Sequence, residues 1–167
     1  MAGALEGLIV LDLTSHLSGP YAAMMLADHG ADVIKIERKG VGDDARKMPP
    51  FVCGESAPFM IWNRNKRSIE LDLRDPSDQS RLLELVFGAD ILIENFRPGT
   101  LCKLGLGYEV LRERNPRLVY AAISGFGQTG LKNVCGQDPL QHASPPHRSI
   151  PRRLAALTRV NSDAAAV

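Results

Sequence analysis

An α/β fold built on a doubly wound, mostly parallel sheet is predicted by three features of the sequence. Apolar runs alternate with helix-patterned segments along the chain, the first run is apolar on successive residues, and glycine or proline stands at the helix boundaries. Alternating strands and helices fit crossover connections, and a continuous apolar run fits a strand covered on both faces.

The elements follow in order. Residues 8–13 are the first strand. Ser18-Gly19-Pro20 opens a helix with proline in its first turn, and Tyr21, Met24, Met25 and Asp28 follow at helical spacing until Gly30 stops it. Residues 33–37 form the second strand, where Lys35 and Glu37 alternate with Ile34 and Ile36 and predict one wetter face. Residues 38–59, rich in proline and glycine, predict an irregular loop long enough to be functional. A third strand over 68–73 leads into a helix entered at Asp75-Pro76-Ser77 and ended by Gly88. Residues 90–94 make a fourth strand, 108–114 a short helix stopped at Asn115-Pro116, and 118–123 a fifth strand.

The predicted division is a domain over 1–138 and an irregular, disordered tail over 139–167, where proline, histidine, arginine and alanine accumulate without a period. The abrupt change of character is read as a frameshift or splice event that replaced the natural continuation.

Bulk composition narrows the function. A chain of 167 residues with 44% hydrophobic content suits one domain with a buried core. Net charge is +1, from 20 basic and 19 acidic side chains, so no global field recruits nucleic acid or a membrane surface. Cys53, Cys102 and Cys135 are odd in number and widely spaced, which predicts reduced thiols. The start lacks a basic, cleavable apolar leader, and no stretch approaches the ~20 apolar residues of a membrane span. The expectation is a cytoplasmic protein.

Four motifs carry the chemistry. The first is Val33-Ile34-Lys35-Ile36-Glu37-Arg38 followed by Gly40-Val41-Gly42-Asp43-Asp44, and the second is the basic, amide-rich turn Asn63-Arg64-Asn65-Lys66-Arg67-Ser68. The third and fourth are Glu94-Asn95-Phe96-Arg97-Pro98-Gly99 and Ser124-Gly125-Phe126-Gly127-Gln128-Thr129-Gly130. In this order they resemble the N-terminal part of the class III coenzyme A transferase family, which includes formyl-CoA transferases, α-methylacyl-CoA racemases and carnitine dehydratase-like proteins. The resemblance runs over about residues 5–130 and implies a Rossmann-like domain, truncated relative to the family's two-part chains; family members are interlocked dimers, and a homodimer of this chain is expected only if the missing part is not required.

Coenzyme A presents phosphates and an apolar body, so its site needs several cations beside an apolar slot. Arg38 at the end of the second strand fits, as do Lys66 and Arg67 before the third, although Lys66 stands at a strand's start and must reach through the turn. The alternative for each is an ordinary solvated charge. The resemblance implies coenzyme A contacts at Arg38, Lys66, Asn95, Phe96, Lys103 and Leu104. It also implies an aspartate nucleophile shortly after the glycine-rich loop, for which Asp138 in Gly136-Gln137-Asp138 is the candidate; a turn aspartate before Pro139 is the competing reading. The implied reaction moves coenzyme A between an acyl-CoA and a small carboxylic acid. A racemase of 2-methylacyl-CoA and a catalytically silent CoA-binding fragment remain open alternatives.

Other signals are set aside. Residues 125–130 match GxGxxG, but no amphipathic helix follows, so NAD is not expected. Asp43-Asp44, and Cys135 with His142 and His147, lack the spacing of a metal site. Cys53 has no nearby base, and His16 receives no acid-base role. Gly19-Pro20 predicts free backbone N–H groups at a helix start, suited to an anionic or carbonyl oxygen.

Overall fold

The computed structural model describes residues 3–125, 127 and 128. Five parallel strands make the sheet: β1 (Ile9–Asp12), β2 (Asp32–Arg38), β5 (Lys66–Leu71), β6 (Ile91–Glu94) and β7 (Val119–Ala122), in the order β5-β2-β1-β6-β7. Helices α1 (Ser18–Asp28), α3 (Pro76–Gly88) and α5 (Tyr108–Arg114) fall where the sequence places them. The predicted α/β, doubly wound architecture is the one observed, and the tail from 139 onward lies outside the described residues.

Both faces of the sheet are covered, which is why its strands read as apolar runs. Leu11, Ile34, Ile36 and Leu92 pack with Leu82 and Val86 of α3 and Leu111 of α5. Val10, Val33 and Ile93, whose side chains alternate with those, pack on Ala23 and Ala27 of α1. The small alanines let α1 lie close to the strands. Helix α3 starts as expected: Pro76 fills the first turn and the Asp75 carboxylate accepts from the Ser77 N–H at 2.7 Å.

Three expectations change. The third strand begins at Lys66 rather than at 68 and pairs Lys66 with Val33 and Arg67 with Ile34. Among the described residues it is an edge strand, where charged residues are tolerated because one side is unpaired. Residues 38–59, expected to be irregular, hold a 3-10 turn (Asp44–Lys47), a two-residue hairpin of β3 (Phe51–Val52) and β4 (Glu55–Ser56), and the start of α2 (Ala57–Trp62). Lys35 and Glu37 do not face water; they are 1% and 4% exposed, and their charges are met by buried partners instead.

Chain order places the ligand crevice. From β1 the chain winds outward through β2 to β5, then returns to β6 on the other flank of β1, so strand order reverses between β1 and β6. In open α/β sheets the carboxyl ends at such a reversal form the binding crevice. Among the described residues no helix is long and apolar enough to cross a membrane.

Candidate functional site

A cleft of about 630 Å³ opens at the carboxyl ends of β1, β2 and β5. Leu13, Ile36 and Leu71 give it apolar walls, and Phe96 and Leu104 close one side. Besides the buried Lys35, its cations are Arg38, which ends β2, Lys39 just after it, and Arg74, which follows β5. An apolar slot beside exposed cations suits a ligand with a greasy body and anionic groups.

The cations differ in their partners. Lys39 Nζ is 3.1 Å from the buried Asp78 carboxylate, and Arg38 Nη2 is 3.1 Å from Asp44 Oδ1. Arg74 carries no side-chain ion pair among the described residues; only its backbone N–H is engaged, with Asp72.

Behind the cleft lies a chain of buried charges. Lys66 Nζ donates to Asp12 Oδ2, the Pro20 carbonyl and Asn63 Oδ1 at 2.8, 2.9 and 2.9 Å, using all three ammonium protons. Burial pulls the Lys66 pKa below the ordinary lysine value, with Asp12 opposing. Lys35 Nζ lies 2.8 Å from Asp43 Oδ2 and donates to the Thr14 carbonyl at 2.9 Å. Asp12 in turn accepts from the Thr14 N–H at 3.0 Å and from its hydroxyl. Two strand lysines thus tie down the loop after β1.

A second anchor fixes the 39–47 turn. Glu37 receives two hydrogen bonds from the Arg46 guanidinium, at 2.6 and 2.7 Å, one from Ser68 Oγ at 2.5 Å and one from the Asp43 N–H at 2.9 Å. Burial alone would raise its pKa; these donors outweigh burial and hold it at about 2. Gly42, at φ +73°, permits the closure: a Cβ there would lie 2.9 Å from Arg46 Cδ.

Across the reversal point, Asn95 clasps Ser15, accepting from its N–H at 3.0 Å and donating to its carbonyl at 2.8 Å. Glu94 accepts from the Phe96 N–H at 2.7 Å and from the Tyr120 hydroxyl at 3.1 Å. Its burial raises its pKa above the usual carboxylate value, and burial together with Glu94 pushes the Tyr120 phenol up. At α1, Pro20 has no N–H to offer, and Gly19 sits against Thr14, leaving no room for a Cβ.

The sequence candidates therefore divide. Arg38, Phe96 and Leu104 line the cleft, and Asn95 braces it. Lys103 is exposed at the end of α4 (Thr100–Lys103), just before Leu104, and Lys66 is buried beneath Asp12, with its side chain 1% exposed. Asp138 and, in the glycine-rich loop, Phe126, Thr129 and Gly130 lie outside the described residues. Arg74, just after β5, stands at a strand's carboxyl end as Arg38 does, so the same positional signal in the sequence points to it. The internal pairing of Asp12, Lys35, Asp43 and Lys66 had no signal in sequence, because partners up to 54 residues apart meet only through strand order.

Comparisons with known proteins agree with this geometry. The model of CoA-transferase family III matches residues 5–144. The chain is 52% identical over 128 residues to acetyl-CoA:oxalate CoA-transferase of Acetobacter aceti, covering 77% of this chain and 33% of that protein. It is 44% identical over 158 residues to human succinyl-CoA:glutarate CoA-transferase, covering 89% and 36%. The crystal structure of a CaiB/BaiF family protein from Brucella suis superposes with a TM-score of 0.75 at 43% identity, over 80% of this chain and 36% of that one. This chain spans about a third of the length of these relatives. With the parallel sheet, the reversal-point cleft and a family match over most of its length, the chain belongs to CoA-transferase family III.

Proposed function

We propose that this chain holds coenzyme A for transfer between an acyl-CoA and a small carboxylic acid. The observation that carries the reading is the cleft itself, with Arg38 and Arg74 on its rim and Phe96, Leu104, Leu13 and Leu71 along its apolar wall. Two guanidiniums suit phosphate oxygens, and the apolar wall suits adenine or pantetheine. Asn95 shapes the crevice through Ser15, Lys66 acts through the loop it anchors, and Lys103 extends the cationic side next to Leu104. The relatives' acceptors, oxalate and glutarate, make a dicarboxylic acid the proposed acceptor class.

Asp138 is the proposed nucleophile. Its carboxylate attacks the thioester carbonyl and the coenzyme A thiolate leaves, giving an acyl-aspartyl anhydride. The thiolate then attacks the aspartyl carbonyl and releases the donor acid, leaving an aspartyl-CoA thioester. The acceptor carboxylate displaces the thiolate in the same way, and attack of the thiolate on the acceptor's carbonyl completes the new acyl-CoA and frees Asp138. A carboxylate suits this sequence because each adduct it forms is activated toward the next attack.

Calorimetric titration with coenzyme A tests the site. Saturable binding that weakens roughly tenfold in Arg74→Gln, the loss of one charged hydrogen-bonding partner, supports it. Equal affinity of Arg74→Gln and the parent chain removes Arg74 from the site. Mass spectrometry after incubation with succinyl-CoA tests the chemistry: an adduct on Asp138 supports transfer, and binding without any adduct reduces the reading to a coenzyme A holder.

A further inference from the structure

The rim of the cleft contains its own anion. Asp44 lies 3.1 Å from Arg38, with the two side chains 49% and 60% exposed, and its other oxygen is 3.9 Å from His16 Nε2. Its place is set by the buried turn beneath it. The preceding Asp43 is 4% exposed and accepts from the Ala45 N–H at 2.9 Å and the His16 N–H at 3.2 Å, while its own N–H is held by Glu37. Backbone on both sides of Asp44 is therefore fixed, and the carboxylate is presented to Arg38 by the scaffold.

We propose that Asp44 is a built-in competitor for Arg38, a carboxylate that an incoming phosphate displaces and that thereby sets the anion preference of the site. The inference rests on the reading of the cleft as a coenzyme A site. A carboxylate group of a free acid exchanges one singly charged partner of Arg38 for another and gains little. A phosphomonoester brings about −1.5 to −2 charges and three acceptor oxygens, so it gains on exchange. The displaced carboxylate has His16 within reach. Such a filter is useful where the second substrate is itself a free carboxylic acid, because it keeps the acid from settling on the cation meant for the carrier's phosphate.

The test is calorimetry on the full chain with Asp44→Asn, Arg38→Gln and the double variant, using coenzyme A as ligand and glutarate as competitor. The expected result is coenzyme A binding tightened roughly two- to fivefold in Asp44→Asn, the worth of an exposed ion pair. That gain disappears in the Arg38→Gln background, and glutarate weakens coenzyme A binding more in Asp44→Asn than in the parent. Saturable binding by the parent with no gain in Asp44→Asn overturns the competitor and leaves the coenzyme A site standing. A gain that survives in Arg38→Gln overturns it as well, since a general charge effect then suffices. Absence of saturable binding by parent and variants overturns both readings.

Discussion

Replacing Glu37 by glutamine should remove a pH-dependent part of the stability. The folded carboxyl sits at about 2 against an ordinary 4.5, held there by Arg46, Ser68 and the Asp43 N–H. Between those values the unfolded chain binds more protons than the folded one, so stability rises with pH through this window and its contribution is complete above about 4.5. A shift of about 2.5 units at about 1.36 kcal/mol per unit is on the order of 3 kcal/mol. The carboxylate is 4% exposed, so solvent screening takes little from it, whereas Arg46 is partly exposed and limits the gain from that side. Urea unfolding followed by circular dichroism, for parent and Glu37→Gln from pH 7 down to pH 2.5, reads the effect. The expected difference is on the order of 2–4 kcal/mol at pH 7 and shrinks steadily below pH 4.5. Stability curves that stay parallel down to pH 2.5 would refute the assignment of the shift to this carboxylate.

Two more outcomes follow from the buried charges. Lys66→Met leaves Asp12 without its closest cation and should cost about 3–5 kcal/mol in urea unfolding, whereas Asp12→Leu with Lys66→Met together should recover most of that loss, because removing a whole buried pair costs far less than orphaning one half. Additive losses in the double variant would show that the two do not act as a pair. Glu94 works in the opposite sense to Glu37: its folded pKa is raised by burial, so the folded state binds the extra proton and stability falls as pH climbs through the ordinary carboxylate range. Glu94→Gln keeps an acceptor for the Phe96 N–H and carries no charge, so its unfolding free energy relative to the parent should improve between pH 4 and 7; a difference independent of pH contradicts the shift.

How much the sequence disclosed depended on the range of the interaction. Helix α3 could be read because its signals are local: Asp75 caps it, Pro76 fills the first turn, and Leu82 and Val86 repeat at helical spacing. The strands of the parallel sheet could be read because covered strands lose their polar alternation, whereas their order could not. Lys35 and Glu37 misled for the same reason, since alternation normally marks a wet face and these two charges are instead satisfied by residues from other elements: Asp43 and Thr14 for one, Arg46 and Ser68 for the other. Lys66 misled through its strand boundary. Placed in a turn before the strand, it looks free to bind a ligand; placed on the edge strand opposite Val33, its side chain runs under the sheet's carboxyl end to Asp12.

The distribution of charge at the site has a mechanical reason. A crevice at strand ends is built from loops, and loops with few apolar contacts do not hold a fixed shape by themselves. Here three loops around the cleft are bound to a rigid strand by a buried charge, Asp12 and Lys35 holding the loop after β1, Glu37 the 39–47 turn, and Glu94 the turn that presents Phe96, while Asp78 of α3 holds the segment before Arg74 through the Asp72 N–H. Asp12 and Glu94 are the last residues of β1 and β6, and Glu37 is one position before the end of β2, so the sheet's regularity passes directly to the cleft walls. Desolvating them is costly, and breaking any one leaves its partner buried and unmatched. That penalty makes alternative loop conformations unfavourable and leaves Arg38 and Arg74, the exposed groups, on a preformed rim where ligand binding orders two side chains rather than two loops.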